Sequence, residues 1–267
     1  MKPRYVYAVI GSGKQGTAEG YDLAKYGNAS KVIMIDRDPA LAEQAAQRIN
    51  SLMGREIADF SSMDAGNEVA LTAFLKKHNV HVCCGAAHYA LNLTLTRASI
   101  NAGAHFCDMG GNTGVVHNQH KLHDMAEKND VTVIPDCGIA PGTANILAAR
   151  AINQINCHSV KVVCGGLPAN RELPLGYRVV FSIQGLTNEY TGECVEIRNG
   201  RIVKVPAFTE KETLVLPDPV GECEAFLTSG GTSTGPWSFQ GKIMEYGYKT
   251  VRYPGHYDTI RTMIDMG

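Results

Sequence analysis

The chain has 267 residues, with 25 Lys and Arg against 26 Asp and Glu and a formal net charge of −1. That length suits two compact domains or one large one, and the balanced charge offers no basic field for nucleic acid or an acidic membrane. No apolar run reaches the ~18 residues of a spanning helix, and Met1-Lys-Pro-Arg4 leads straight into a strand-like run, so a cytoplasmic protein without a signal peptide is expected.

Tyr5–Ile10 is apolar and ends in Gly11-Ser12-Gly13-Lys14-Gln15-Gly16. A helical pattern follows, and a second apolar run, Val32–Ile35, stops at Asp36. Strand, glycine loop, helix, strand and acid in this order specify a dinucleotide site. Gly11 permits the tight turn, Gly13 lets the backbone approach a pyrophosphate, and Gly16 lets the helix lie close to the strand. The N–H groups from Ser12 to Gln15, at the helix start, hold the phosphates. Asp36 lies 20 residues beyond Gly16, where its carboxylate accepts from the ribose hydroxyls and favours NAD. Arg37 beside it could accommodate a 2′-phosphate, which keeps NADP open.

Further strand-like runs are Arg55–Asp59, Val80–Cys84, His105–Cys107 and Val131–Pro135. They alternate with helical patterns at Ala40–Ser51, Asn67–Lys77, Leu91–Ala102 and Gln119–Asn129. Such alternation implies a doubly wound parallel sheet with its ligand crevice at the carboxyl ends of the strands. The loops at those ends supply candidates. Asp64 and Ala65 could border an adenine, with Asp64 alternatively a turn or cap residue. Gly85 and Ala86 leave room for a cofactor backbone. His88 could lie near the nicotinamide or could be a helix-start histidine in solvent. Asp108, before Gly110-Gly111, places a carboxylate in the crevice. His117, His120 and His123 are three apart, but no carboxylate or cysteine completes a ligand set, so a solvated face and no metal are expected. The eight cysteines include several in apolar runs and no C-x-x-C, which points to buried reduced thiols rather than disulfides or zinc.

The composition changes near residue 135, and the domain boundary is placed between residues 137 and 138. Pro141 suits the first turn of a helix running to about Gln154. Beyond it, Ser159–Cys164, Tyr177–Ser182, Cys194–Arg198, Arg201–Val205, Glu224–Thr228 and Tyr246–Tyr253 read as strands. Arg198-Asn199-Gly200-Arg201 carries a tight-hairpin signal. The fold class is therefore α/β: an N-terminal Rossmann domain, then an α+β domain with a mixed, largely antiparallel sheet. Gly231-Thr232-Ser233-Thr234-Gly235 matches the G-x-S-x-G of a nucleophile elbow, but Pro236 stands where that motif needs a helix. A loop holding a substrate carboxylate through Gly231 and Thr232 is the better reading. Arg252 could pair bidentately with a carboxylate and His256 could transfer a proton; a surface arginine and a capping histidine are the plainer alternative.

Over essentially its whole length the chain resembles the saccharopine dehydrogenase family, in particular its lysine 6-dehydrogenase branch. The resemblance rests on Gly11–Gly16, Asp108-Met-Gly-Gly111, Ile134–Gly142, Phe181–Leu186, Thr228–Ser233 and Lys249–His256. It implies a nicotinamide enzyme acting on a carbon–nitrogen bond of a lysine-derived amino acid. Saccharopine-forming relatives typically carry an aspartate at the Ala140 position and an arginine at the Gln184 position, so the resemblance implies a smaller amine such as lysine. Lysine 6-dehydrogenase-like sequences often have glutamate at the Gln184 position, which leaves the amine open. The implied reaction is oxidation of the terminal amine of L-lysine, giving allysine or its cyclic piperideine carboxylate, ammonia and NADH. Asp108 would stabilise the iminium cation, and His256 or His88 would handle protons. Arg252 and the Gly230–Ser233 loop would hold the α-carboxylate, and Tyr177 and Gln184 would line the pocket. A saccharopine- or carboxynorspermidine-type reductase is the alternative chemistry. Relatives usually continue for roughly a hundred residues past the helix near His256 before returning to the nucleotide domain. A fragment, a shortened member or a non-catalytic nucleotide-binding module is thus also an expectation. A homodimer or higher homo-oligomer is expected from the strand-rich second domain.

Overall fold

In the computed structural model, which describes residues 4–179 and 183–267, the first unit reaches to Gly138 and the second begins at Ile139. The strands of the first are β1 (Tyr5–Ile10), β2 (Ala29–Asp36), β3 (Ala58–Ser62), β4 (Val82–Gly85), β5 (His105–Asp108) and β6 (Val133–Ile134). They form one sheet of order β3-β2-β1-β4-β5-β6, and every pairing is parallel. The order reverses between β1 and β4, which opens the ligand crevice at their carboxyl ends.

Both faces are covered because successive side chains of a strand point opposite ways. Ala8, Ile10, Ile33 and Ile35 pack with Phe106 and Leu95 on one face. Tyr7, Val9, Val32 and Met34 pack with Ile49 and Ala24 on the other. The helices are α1 (Lys14–Tyr26), α2 (Pro39–Met53), α3 (Glu68–Lys77), α4 (Asn92–Ala102), α5 (Thr113–His120) and α6 (His123–Lys128). The buried stripe of α1 is Gly16, Gly20 and Ala24, small enough for close approach to the sheet. Asp38 caps α2 by accepting from Ala40 N at 2.9 Å.

Several sequence expectations shift here. The third strand lies at Ala58–Ser62 rather than Arg55–Asp59, because Asn50 Oδ1 accepts from Ile57 and Ala58 N–H and ties the preceding segment to α2. The helix read at Gln119–Asn129 is two helices, the first starting earlier, where Asn112 accepts from Val115 N at 3.1 Å. Asp64 does not cap α3. Its carboxylate accepts from Gly66 N, and Asn67 is the cap.

The second unit contains α7 (Thr143–Ile155), β7 (Ser159–Cys164), α8 (Ile183–Glu189), β8 (Glu193–Arg198), β9 (Arg201–Pro206) and β10 (Glu212–Leu216). It continues with β11 (Gly221–Leu227), α9 (Gly235–Phe239), β12 (Glu245–Arg252) and α10 (His256–Met266). The sheet order is β10-β11-β12-β8-β9, with β7 paired in parallel to β12 and the other pairings antiparallel. Asn199 and Gly200, both at positive φ, turn the β8–β9 hairpin as their sequence signal requires. Pro141 precedes α7 rather than sitting in its first turn. Asn145 instead accepts from Gly142 N at 2.8 Å and closes the helix start.

Tyr177–Val179 is irregular rather than a strand, and the rest of that expected strand, with Phe181 and Ser182 of the quoted motif, lies outside the described residues. Contrary to expectation, a short helix does follow Ser233. Pro236 fits within its first turn, where no intrahelical N–H is needed. No helix among the described residues is long and apolar enough to cross a membrane.

Candidate functional site

In the first unit each glycine of the loop has a separate cause. A Cβ on Gly11, at φ +101°, would meet the Ala86 backbone at 2.7 Å, and one on Gly16 would stand 1.8 Å from Gly11 O. Gly13 differs, because a Cβ there would meet nothing within 4 Å. Its open side is the approach a pyrophosphate needs. No side chain caps the start of α1, so its free N–H groups face that approach. Asp36, at the end of β2, accepts from Ser12 N at 2.8 Å and from Asp38 N at 3.0 Å, which fixes the loop against the second strand. The buried Ser12 hydroxyl has no hydrogen-bond partner among the described residues. Open glycine, uncapped helix start and strand-end carboxylate fit a dinucleotide. Lys14, Gln15 and Arg37 are exposed beside it, Ala65 is buried in the core, and Gly85 ends β4 with Ala86 next, its N–H donating to Ile10 O.

Asp108 has a different environment from the one its motif suggests. It is buried, and burial raises its pKa. Oδ1 accepts from Gly110 N at 2.7 Å and Asp136 N at 3.3 Å, and Oδ2 accepts from Gln119 Nε2 at 2.6 Å. The carboxylate thus organises the loops after β5 and β6, with three hydrogen bonds already accepted. His88 is exposed and caps a single 3₁₀ turn, Tyr89–Leu91, accepting from Ala90 N through Nδ1.

The second unit gathers a buried polar cluster at the end of β12. Arg252 is only 3% exposed, lies 3.5 Å from Glu189 at the end of α8, and sits beneath the Tyr177 ring with the guanidinium 4.6 Å from its centre. A separation of 3.5 Å is too long for a bidentate pair. Burial raises the Glu189 carboxyl to about 7, with Arg252 opposing the shift. Near neutral pH the guanidinium therefore lacks a full counter-charge, and its Nε has no hydrogen-bond partner among the described residues. Gln184, on the first turn of α8, is exposed.

His256 begins α10 and is buried. The Leu175 carbonyl can only accept, so Nδ1 carries the proton and donates to it at 3.2 Å. Nε2 then accepts from the Tyr190 hydroxyl at 2.9 Å. Desolvation lowers the imidazole pKa to about 4. Both nitrogens are engaged, so the ring positions α10 rather than shuttling protons. The histidine gains a proton more readily in the unfolded chain, so its stabilising contribution is complete above pH 6.5 and declines as pH falls toward 4. A shift of this size is worth about 3 kcal/mol. The stability difference between wild type and His256→Gln should narrow by about that much over this interval; parallel pH–stability curves would remove the assignment.

The glycine-rich loop is structural. A Cβ on Gly231 would stand 2.1 Å from the Tyr248 ring, and the Thr232 hydroxyl donates to Val195 O at 2.8 Å. Asn145 Nδ2 donates to Thr232 O at 2.9 Å and pins the loop to α7. Gly231 and Thr232 therefore shape the wall beside Tyr248. Sequence reading missed Glu189, Tyr190 and Asn145, which look like ordinary helix residues until the fold gives them partners.

A family model described as the saccharopine dehydrogenase NADP binding domain matches residues 7–134. A second, the saccharopine dehydrogenase C-terminal domain, matches residues 138–267. The saccharopine dehydrogenase (NADP(+), L-glutamate-forming) of Schizosaccharomyces pombe is 24% identical over 217 residues, 77% of this chain and 47% of the relative. That of Pyricularia oryzae is 24% identical over 216 residues, with the same coverage. The chain spans about half the length of these curated relatives. The apo histidine-tagged saccharopine dehydrogenase (L-Glu forming) from Saccharomyces cerevisiae has the same fold. Its TM-score is 0.76 at 20% identity, covering 98% of this chain and 58% of that one.

Proposed function

The chain belongs to the saccharopine dehydrogenase family, and we propose that it is an NAD(P)-dependent oxidoreductase acting on a CH–NH bond, with the terminal amine of L-lysine as its substrate. The observation that carries the substrate class is Arg252, a buried guanidinium whose Nε has no hydrogen-bond partner among the described residues and whose counterion is partly ionised. A substrate α-carboxylate supplies the charge it lacks. The uncharged residues Ala140 and Gln184 favour a substrate with one carboxylate over the larger saccharopine.

Bound in the loop of the first unit, the nicotinamide supplies the hydride acceptor for the carbon bearing the amine. The remaining work falls to protein groups. Gly13 to Gln15 would hold the pyrophosphate through backbone N–H groups, the Ser12 N–H being spent on Asp36, and Asp36 would accept from the ribose through a remaining lone pair. Asp36 favours NAD, while the exposed Arg37 beside it accommodates NADP. In the second unit Arg252 holds the carboxylate and Tyr177 covers it. Glu189, with a carboxyl pKa near neutrality, accepts the proton that the lysine ammonium must lose before oxidation. Asp108 maintains the loop geometry through its three hydrogen bonds, and His256 positions α10. Water then attacks the resulting imine, ammonia leaves, and the aldehyde closes on the α-amine.

A second reading, saccharopine oxidation, is favoured by the names of the matched relatives. Product analysis separates the two. Lysine with NAD⁺ or NADP⁺ should give reduced nicotinamide and ammonia in equal amounts. Reduced nicotinamide from saccharopine alone, with glutamate as the amine product, would replace the lysine assignment.

A further inference from the structure

Beside the glycine loop, three ligating side chains converge that neither the dinucleotide cradle nor the proposed chemistry uses. Glu19 lies on α1, three residues past Gly16, and Cys84 and Cys107 are cross-strand partners at the ends of β4 and β5. Both thiols belong to the face of the sheet that α1 covers. The ligating atoms of all three lie within 4.8 Å of one another, and the two Sγ atoms are 3.6 Å apart.

The sulfur–sulfur distance is the informative one. Zn–S bonds of about 2.3 Å in a tetrahedron put two sulfurs about 3.8 Å apart, and a Zn–O bond of about 2.1 Å puts sulfur and oxygen about 3.6 Å apart. A disulfide would need about 2.05 Å, and these cysteines are free. Glu19 Oε2 is buried and has no hydrogen-bond partner among the described residues. Cys84 is buried and Cys107 is half-buried, so one ligand stands toward the route of entry. Cys137 directs its thiol to Ile134 O at 3.3 Å instead and is exposed.

We propose that Glu19, Cys84 and Cys107 form a site for a thiophilic divalent cation of the zinc type, with the fourth position open to water. Two thiolates and one carboxylate select such a cation over magnesium or calcium. On binding, two metal–sulfur bonds form, both thiol protons pass to solvent, and no oxidation state changes. The cation would tie α1 to β4 and β5 at the crevice end of the sheet, and so stabilise the nucleotide unit.

The test is a cobalt(II) titration of the reduced full chain, followed by displacement with zinc. A sulfur-to-cobalt charge-transfer band saturating at one equivalent, and lost on adding zinc, is expected. Cys84→Ser and Cys107→Ser should each lose the two-thiolate band, while Cys137→Ser keeps it. Glu19→Gln should keep the band but weaken affinity about tenfold or more. Dinucleotide binding by each variant checks that it is folded. A wild-type chain with titratable free thiols and no band overturns the site, as does a band that survives in Cys84→Ser and Cys107→Ser or depends on Cys137. As a readout independent of spectra, one equivalent of zinc should raise the Tm of wild type and leave that of a Cys84→Ser/Cys107→Ser double variant unchanged; equal shifts would also refute it.

Discussion

Gly16→Ala is expected to abolish dinucleotide binding and to destabilise the first unit, whereas Gly13→Ala should abolish binding alone. The two glycines share a loop and differ in what surrounds them. An alanine methyl at Gly16 would stand 1.8 Å from Gly11 O, a backbone atom that cannot rotate away. Either α1 lifts from β1 or the loop opens, and overpacking of this kind costs about 1–3 kcal/mol. At Gly13 the methyl meets nothing within 4 Å of the protein, and φ is −71°, which any residue tolerates. The change there costs at most about 1 kcal/mol, the difference between glycine and alanine at a helix start. The methyl would instead occupy the approach of the pyrophosphate. Calorimetric binding and thermal denaturation on both variants separate these effects. Tight binding by Gly13→Ala would mean that the phosphates lie elsewhere, and an unshifted Tm for Gly16→Ala would mean that the helix is less tightly docked.

Arg252→Ala should raise KM for the amino acid about thirtyfold or more, the consequence of losing a buried charge-assisted pair worth about 2–5 kcal/mol. Dinucleotide affinity should not change. Arg252 also holds down the Glu189 pKa, so its removal should shift the acidic limb of the kcat profile upward in pH. Arg252→Lys keeps the charge but loses the planar fork, and its KM should fall between the other two. A wild-type KM in Arg252→Ala would remove the guanidinium from substrate binding. A parallel loss of dinucleotide affinity would indicate structural damage.

The first unit was legible because its signals are local. Alternating apolar runs, a glycine loop and a strand-end acid each occupy a short window; Gly11 and Gly16 stand where a Cβ would not fit, while Asp36 ends β2 as read and there accepts from Ser12 and Asp38 N–H. The second unit was less so. The pairing of β7 with β12 joins segments far apart in sequence, and β10 carries no strong pattern of its own. The site residues differ in how their side chains are engaged. Asp108, His256 and Thr232 have the right chemistry, yet each is held by hydrogen bonds to backbone or neighbouring side chains that only the fold creates. Glu189 is chemically the more available group. Its raised pKa comes from burial at the end of α8, which no local pattern announces. Cys84 and Cys107 likewise became neighbours of Glu19 only through strand register.

The most direct measurement follows a single atom. The chain is supplied with L-lysine deuterated at its terminal carbon together with NAD⁺, and the reduced dinucleotide is weighed by mass spectrometry. Oxidation at the CH–NH bond predicts one deuterium in each reduced dinucleotide and slower turnover than with unlabelled lysine. Reduced dinucleotide without deuterium, or a chain that binds the dinucleotide tightly yet never reduces it with lysine or saccharopine, would contradict the account.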